Sequence, residues 1–235
     1  MRRLRYQVAV SLDGFIAGPG GEYDWIVMDP SIDFGALFKQ FDTLVMGRKT
    51  YEPLIAEGGT GAMPGVEIVV FSRTLPAATH KGVRISGDDP IAVVTALKAA
   101  KGRDIWLFGG GQLFRTLLDA GLVDSVELAI MPVLIGQGIP LLPPGDLTTL
   151  ELVDHKILPD SGIAVLAYSV PGGQPAPPIG FIKAARARAK KRAGRRIAKA
   201  ASAATSPGTK SSRKKPAPKT PAPKKPAPKK PARRR

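Results

Sequence analysis

Twice in this chain an apolar, strand-like run ends at glycine and passes directly into a helical pattern. Residues 43–46 lead into Gly47-Arg48-Lys49-Thr50, and residues 105–108 lead into Gly109-Gly110-Gly111. A strand followed by a crossover helix is the repeating unit of a parallel sheet, so this feature restricts the folded part to an α/β architecture. The same turns leave the unpaired amide hydrogens of a first helical turn beside glycine, an arrangement that suits bound phosphate.

Strand and helix patterns alternate through most of the remaining chain. Asp89-Pro90 is a strong helix start, because aspartate caps a helix and proline fits its first turn. The final two strands follow each other without a helix and are expected to form an antiparallel edge. The predicted fold class is therefore α/β, with a mixed, mostly parallel central sheet and flanking helices. Strands are predicted at 5–10, 43–46, 67–71, 104–108, 126–130, 151–158 and 164–170, and helices at 31–41, 49–56, 90–101 and 112–120.

Charge divides the chain into two parts. Residues 1–180 contain 14 basic and all 19 acidic residues, a net charge of −5, whereas residues 181–235 contain 21 basic residues and no acid. The end of the chain repeats Lys, Pro and Ala, repels itself and has no apolar core to bury, which predicts a disordered basic tail. The expected organisation is a domain at 1–172, a linker at 173–180, and a tail at 181–235 whose first part, 181–204, forms a helix only on an acidic partner.

Several classes of site and location are disfavoured by the composition. The absence of cysteine excludes disulfides and zinc–thiolate sites, and His80 and His155 are isolated, so no metal site is expected. No apolar run reaches the roughly 18 residues of a membrane span. The basic N-terminus lacks the apolar run and cleavage site of a signal peptide, so the expected location is the cytoplasm.

The two glycine turns admit a ligand with more than one phosphate, such as a dinucleotide, although each can also be an ordinary helix start or tight turn. Phe71 ends a predicted strand and is followed by Ser72 and Arg73, a set of donors that suits a dianionic phosphate and indicates NADP rather than NAD. The glycine run is unlike the Rossmann fingerprint, because Phe114 stands where the third glycine belongs.

Over residues 4–170 the chain resembles the dihydrofolate reductase superfamily, in particular the branch shared with the C-terminal reductase domain of riboflavin biosynthesis. The order and spacing of four motifs carry the resemblance. They are Ser11-Leu12-Asp13-Gly14-Phe15-Ile16-Ala17, Met46-Gly47-Arg48-Lys49-Thr50-Tyr51-Glu52, Phe71-Ser72-Arg73-Thr74 and Phe108-Gly109-Gly110-Gly111-Gln112-Leu113-Phe114.

The resemblance implies NADPH as the cofactor and a homodimer as the assembly. It implies a cis peptide bond at Gly109–Gly110, which costs about 3–4 kcal/mol outside proline and persists only where the structure enforces it. Ser72 and Arg73 would receive the adenosine 2′-phosphate, and Ala9 and Ile16 would lie beside the nicotinamide. The pyrophosphate would be held by Gly47, Arg48, Lys49 and Thr50 together with Gly109, Gly110, Gly111, Gln112 and Leu113.

The substrate side is left open between a pterin and an aminopyrimidine of the riboflavin pathway. Trp25 and Phe38 would line the substrate site, and Asp13, Asp29 or Asp33 would help to protonate the substrate. Asp33 can equally be an acid in the first turn of a helix, and Asp13 can be the turn-forming residue of an Asp-Gly pair. The riboflavin-pathway enzymes carry an arginine-containing segment where this chain has residues 52–57 without arginine.

Two classes of function follow. The first is an NADPH-dependent reductase that passes hydride to a small heterocycle or to an imine or carbonyl compound. The alternative is a reductase scaffold whose catalysis has lapsed and which associates with nucleic acid through its basic tail. A tail with 21 positive charges would bind polyanions through phosphate contacts and with steep salt dependence, but it can also be a solubilising extension.

Overall fold

The computed structural model describes residues 1–56, 63–77 and 81–183. Strands and helices alternate as the sequence predicts for most of this range. The strands are β1 (Leu4–Ser11), β2 (Phe15–Ala17), β3 (Phe41–Gly47), β4 (Glu67–Phe71), β5 (Val83–Ser86), β6 (Asp104–Gly109), β7 (Ser125–Met131), β8 (Ile139–Pro140), β9 (Glu151–Ile157) and β10 (Ala164–Ser169). The helices are α1 (Phe34–Phe38), α2 (Arg48–Ala56), α3 (Pro90–Ala99) and α4 (Gly111–Asp119).

Eight of these strands form one twisted sheet in the order β5-β4-β3-β6-β1-β7-β10-β9. The first six strands in this order are parallel to one another, and β10 runs antiparallel to both β7 and β9. The predicted mixed sheet with an antiparallel edge is therefore confirmed. The remaining strands, β2 and β8, form a separate antiparallel ribbon. None of the helices in the described ranges is long and apolar enough to cross a membrane.

The sheet separates two apolar cores because successive side chains of a strand point to opposite faces. On the face covered by α1 and α2, here called the α1/α2 face, Leu44 and Met46 pack with Trp106. On the face covered by α3 and α4, the α3/α4 face, Val45 packs with Leu107 and with the buried side of α4. Both cores are continuous along the sheet, which holds the strand ends in fixed positions.

The order in which the chain adds strands to the sheet reverses between the neighbouring parallel strands β3 and β6. The connection after β3 leads through α2 to β4, on one side, whereas the connection after β6 leads through α4 to β7, on the other side. Because such crossovers are right-handed, α2 and α4 lie on opposite faces of the sheet. A crevice therefore opens between the carboxyl ends of β3 and β6, the position at which open α/β sheets bind ligands.

Two local predictions differ from the structure. The helix predicted at 31–41 is only Phe34–Phe38, since Asp33 caps its start and Phe41 begins β3 opposite Asp104. The short strands β5 and β8 were not predicted, because a strand of two to four residues depends on its partner rather than on its own pattern.

Residues 174–183, most of which were predicted to be a linker, pack against the domain. Ala176, Ile179 and Phe181 are buried, and Ile182 pairs with Ile32 just before α1. The backbone carbonyl of Phe181 also accepts a hydrogen bond of 2.7 Å from the backbone amide of Asp33. The first compact unit, Met1–Ala185, therefore includes the predicted linker, because its apolar side chains complete the α1/α2 core. The tail and the helix predicted at 181–204 lie outside the described residues beyond position 183.

Candidate cofactor and substrate site

The phosphate-binding motifs predicted from the sequence meet at one edge of the sheet. Register pairs Met46 with Gly109 across β3 and β6, and it pairs Gly47 with Phe71 across β3 and β4. The two glycine turns and Ser72 therefore follow the carboxyl ends of three adjacent parallel strands. This edge contains the crevice at the point where the strand order reverses.

Thr50 joins the two glycine turns. A Cβ on Gly109 would lie 3.3 Å from both Cγ2 and Oγ1 of Thr50, and a Cβ on Gly110 would lie 3.4 Å from Oγ1. The peptide bond between these two glycines is cis, as predicted. The first turn of α2 thus packs directly against the turn that precedes α4, which brings the amino ends of both helices to one crevice.

Gly47 differs from the other glycines of the crevice. Its backbone conformation is open to any residue, and apart from its chain neighbours no atom lies within 4 Å of the position of an added Cβ. Nothing within the described fold therefore requires glycine at this position. At α4, the capping residue Gly110 has no side chain to satisfy the first amide hydrogens. Open space beside free helix-terminal amides is what a bound phosphate group needs, so these residues fit the pyrophosphate of a dinucleotide.

Three cations surround the crevice. Arg48 forms an ion pair of 2.7 Å with Glu52, one turn later in α2, and both side chains are partly exposed. Lys49 and Arg73 are exposed and form no ion pair within the part of the chain that the structure describes. Both are therefore available to an anionic ligand.

Ser72 orders the turn that follows β4. Its Oγ accepts hydrogen bonds from the backbone amides of Thr74, at 3.2 Å, and Leu75, at 3.0 Å. The hydroxyls of Ser72 and Thr74 also lie 3.4 Å apart and either can donate to the other, so one hydroxyl hydrogen of this pair is left for an external acceptor. The neighbouring Arg73 side chain is exposed to solvent. A phosphate with two charges suits this combination of a hydroxyl donor and a guanidinium.

The turn between β1 and β2 is held by hydrogen bonds at the same edge of the sheet. The Asp13 carboxylate accepts hydrogen bonds from the amides of Ile135 and Gly136, at 3.1 and 2.7 Å, and Ile16 lies in β2 of the ribbon with β8. A Cβ on Gly111 would lie 2.8 Å from the carbonyl oxygen of Pro140, so the ribbon packs against the start of α4. The β1–β2 turn, through Gly14, and the start of α4, through Gly111, thus both contact residues 140–141.

Sequence reasoning missed the contribution of residues 138–143. The sequence signal that could have indicated this segment is the concentration of glycine and proline between Gly136 and Gly145, in a stretch without a helix or strand pattern.

Two predicted cofactor-binding residues, Leu113 and Gln112, take different places in the fold. The side chain of Leu113 is buried in the α3/α4 core, so only its backbone can face a ligand, whereas Gln112 is exposed.

Aromatic side chains form a wall on the α1/α2 face below the crevice. The ring of Trp106 lies 5.5 Å from that of Phe38 and 5.2 Å from that of Phe108, measured between centroids. Phe38 and Phe108 are only half-buried, as is Ala9 on β1. Trp25 packs against the same core and donates its indole N–H to the carbonyl of Glu22. A partly exposed aromatic wall of this kind suits a flat ring.

Two of the predicted carboxylates are anions held by hydrogen bonds. A hydrogen bond from Ser11, with those from the amides of Gly136 and Ile135, lowers the pKa of Asp13. Hydrogen bonds from Ser161 and Ser31 lower the pKa of Asp29. A lowered pKa disfavours the protonated form that a general acid needs at neutral pH.

The third predicted carboxylate, Asp33, caps α1. Its side chain accepts a hydrogen bond of 3.0 Å from the amide of Ala36, and Lys183 lies 3.9 Å away. The structure thus gives Asp13, Asp29 and Asp33 local structural contacts, and their catalytic assignments stay predictions.

Comparison with known proteins agrees with this architecture. The model of the RibD C-terminal domain family matches residues 2–162. The Bacillus subtilis (strain 168) protein YyaP is 35% identical over 179 residues, which cover 71% of this chain and 94% of that protein.

Two solved structures share the fold. A protein of Shewanella sp. PV-4 assigned to riboflavin biosynthesis superposes with a TM-score of 0.62 at 25% identity, over 72% of this chain and 98% of that one. Dihydrofolate reductase of Enterococcus faecalis, which is complexed with NADP(H) in its crystal structure, superposes with a TM-score of 0.51 at 18% identity, over 72% and 96%. From the strand-end crevice, the glycine turns and these matches, we conclude that the chain belongs to the RibD C-terminal domain family, a reductase-type branch of the dihydrofolate reductase-like fold.

Proposed function

We propose that this protein is an NADPH-dependent reductase of a small planar heterocycle or of a related imine or carbonyl compound. The observation that carries the proposal is the open space beside Gly47, which lies between the amino ends of two helices and next to cations without partners. A scaffold that no longer bound a cofactor would have no steric reason to keep glycine there, since a larger residue would fit.

Different residues of the crevice would bind different parts of the cofactor. The amides of the first turns of α2 and α4 would hold the pyrophosphate, with Arg48 and Lys49 supplying charge. Ser72 and Arg73 would take the 2′-phosphate and so distinguish NADPH from NADH. Bound NADPH supplies the hydride, and the chain itself contributes orientation and exclusion of water.

The nicotinamide would lie beside Ala9 and Ile16, where the β1–β2 turn crosses the crevice. The substrate would then lie against the half-buried aromatic wall that includes Phe38, with Trp25 at its margin. In this proposal a flat ring would lie between the cofactor and the α1/α2 core.

Calorimetric titration of the full chain with NADPH and, separately, NADH tests the proposal. We expect NADPH to bind at least about tenfold more tightly, because a charge-assisted contact to the 2′-phosphate is absent for NADH. Failure of a folded sample to bind either nucleotide would contradict the reductase function and favour the lapsed scaffold.

The basic tail carries a second proposal, binding of nucleic acid. Residues 181–235 contain 21 basic residues, no acidic residue and only one aromatic, Phe181, so contacts to phosphate would dominate over base stacking. Fluorescence anisotropy with duplex DNA is expected to show an affinity that falls steeply with salt, and that is lost when the chain ends at residue 183. Equal binding by the two chains would overturn this proposal and leave the tail a solubilising extension.

A homodimer is a further expectation, and the edge of the sheet supports it. The edge strand β9 exposes Leu152, Val153 and Ile157, so apolar side chains point to solvent beside the edge of the sheet. Proteins normally protect such an edge with charge or with a partner. Sedimentation velocity is expected to show a dimer that Val153→Lys dissociates, and a wild-type monomer would rule it out.

A further inference from the structure

Residues 140–146, here called the covering segment, lie against the start of α4, where the pyrophosphate of the cofactor is proposed to bind. An added Cβ on Gly111 would lie 2.8 Å from the carbonyl oxygen of Pro140 and 3.2 Å from that of Leu141. The backbone amide of Leu141 donates a hydrogen bond of 2.9 Å to the carbonyl of Gly14, in the β1–β2 turn. The covering segment therefore forms one side of the crevice, beside the uncapped amides of the helix.

Arg115 attaches the covering segment to α4. Its Nε and Nη2 both donate to the carbonyl oxygen of Pro143, at 3.2 and 3.1 Å, and its Nη1 donates to the carbonyl of Asp146 at 3.3 Å. The same Nη1 pairs with Asp119, one turn later in α4, at 2.8 Å. The side chain of Arg115 is only 11% exposed, so its guanidinium is committed to these contacts.

Gly145 lets the guanidinium approach the backbone of the covering segment. An added Cβ at this position would lie 2.6 Å from Cζ and 2.7 Å from Nε of Arg115. Arg115 follows Gly111 by four residues, which places both residues on one side of the helix. The covering segment thus contacts the same side of α4 at two points one turn apart, and Arg115 supplies the second contact.

The covering segment offers more backbone acceptors than donors. Three of its seven residues are proline, which has a carbonyl oxygen but no amide hydrogen. Beside it, the first turn of α4 has unpaired amide hydrogens, and a carbonyl oxygen that moved onto them would take the place of phosphate. The partial negative charge of that oxygen would also repel phosphate. The phosphate site therefore stays open only while the segment is held in place.

We propose that Arg115 is a positioning residue for the cofactor, an inference that rests on the NADPH-dependent function proposed above. By binding the carbonyls of Pro143 and Asp146, it holds the covering segment against Gly111 and away from the amides that would bind the pyrophosphate. Arg115 itself would not touch the cofactor. Arginine suits this role better than lysine, because its planar fork binds one carbonyl through two nitrogens while the third nitrogen reaches another carbonyl.

Two variants of the full chain would release the covering segment in different ways. Arg115→Lys keeps the charge and removes the fork, whereas Gly145→Ala keeps Arg115 and introduces a methyl group where the guanidinium lies. Because Gly145 is exposed, the second variant leaves the core intact even where the first does not fold. Arg103→Lys is the matched control, since Arg103 donates to the backbone carbonyl of Phe41, at 3.1 Å, at the opposite end of the sheet.

Each chain is titrated with NADPH and with adenosine 2′-monophosphate, whose affinity is measured by its displacement of NADPH. The monophosphate lacks the pyrophosphate and would depend on Ser72 and Arg73. We expect Arg115→Lys and Gly145→Ala each to weaken NADPH binding about tenfold and to leave the affinity of the monophosphate unchanged. Arg103→Lys should change neither affinity. A general loss of stability would not separate the two ligands in this way.

Unchanged NADPH affinity in both variants would overturn the inference, and so would an equal loss of affinity for the two ligands, which would indicate a general change in the fold. Failure of the wild type to bind NADPH is a separate result that contradicts the proposed reductase function. The inference about Arg115 fails on its own when the wild type binds NADPH and the variants bind it equally well.

Discussion

At the level of single residues, the crevice is marked by groups that find no partner within the described chain. Arg73 and Lys49 are exposed cations without ion pairs, and Gly47 leaves space that no side chain fills. Arg48, by contrast, is already paired with Glu52, and that exposed pair is worth about 1 kcal/mol or less. A phosphate ligand can replace Glu52 as the partner of Arg48 at a cost of no more than this small free energy.

Arg73 is predicted to control the choice between the two nicotinamide cofactors. Arg73→Gln should weaken NADPH binding roughly 10- to 100-fold, the range expected for loss of a charge-assisted hydrogen bond, and should leave NADH binding unchanged. Calorimetric titration of both nucleotides measures the effect. Arg84→Gln is the control, because Arg84 pairs with Glu67 at the far end of β4. Equal losses for NADPH and NADH would place Arg73 outside the 2′-phosphate site.

Asp29 is predicted to make stability depend on acid pH. Hydrogen bonds from Ser161 and Ser31 lower its pKa, so its stabilising contribution is present above the ordinary value of about 3.9 and is lost as the pH falls through the folded pKa. Urea unfolding at about pH 6 and about pH 3 should therefore show a smaller loss for Asp29→Asn than for the wild type, because the amide does not titrate. The same loss in both proteins would contradict this role.

At the level of elements, the glycine turns serve two different purposes. Gly111 starts α4 under the β8 segment, and an added Cβ would lie 2.8 Å from the carbonyl oxygen of Pro140 and 3.2 Å from that of Leu141. Gly47 ends β3 with nothing near its Cα on that side. Packing requires Gly111, whereas nothing within the described fold requires glycine at position 47.

Alanine substitutions should separate these purposes. Gly111→Ala is expected to lower the free energy of unfolding by about 1–3 kcal/mol, since it forces extra volume into a packed contact. Gly47→Ala should change stability by no more than about 0.5 kcal/mol but should abolish most NADPH binding, because the new methyl group fills the space for phosphate. Thermal unfolding and nucleotide titration of both variants provide the measurements. A Gly47→Ala variant that binds NADPH normally would remove the main support for the cofactor site.

Not every element could be predicted. The strands β4 and β6 were placed within one residue, because long apolar runs between glycines and polar turns leave little choice. The helix α1 was overestimated, because its apolar spacing continues into residues that pair with a strand. The ribbon of β2 and β8 depends on contacts across more than 120 residues, and no local pattern contains that information.

At the level of the whole molecule, the folded unit ends later than composition indicates. Ile179 and Phe181 are buried in the α1/α2 core, although they follow a proline- and glycine-rich segment that looks like a boundary. Lys156 donates to the carbonyl of Ile179, and Asp154 accepts from its amide at 2.9 Å. These bonds attach the segment to the edge strand β9.

A chain that ends at residue 172 is predicted to be less stable than one that ends at residue 183. Loss of the buried Ile179 and Phe181 should lower the free energy of unfolding by roughly 3–6 kcal/mol at most, from the area of apolar surface exposed. Urea unfolding of the two chains measures the difference. The chain ending at 183 is expected to match the full chain in both stability and NADPH affinity. Equal stability of the two shortened chains would show that the segment is a linker after all.

The sequence by itself determined the fold class, the family and the motifs of the crevice, because strand-to-helix turns at Gly47 and Gly109 and the Ser72-Arg73 pair are local patterns. Only the tertiary structure shows that these patterns lie together in space. Parallel pairing of β3, β4 and β6 brings three separate turns to one edge of the sheet. The carboxylates of Asp13 and Asp33 accept hydrogen bonds from backbone amides. The strand pairs and the hydrogen bonds of Asp13 join residues that are distant in the chain, and no local pattern contains that information.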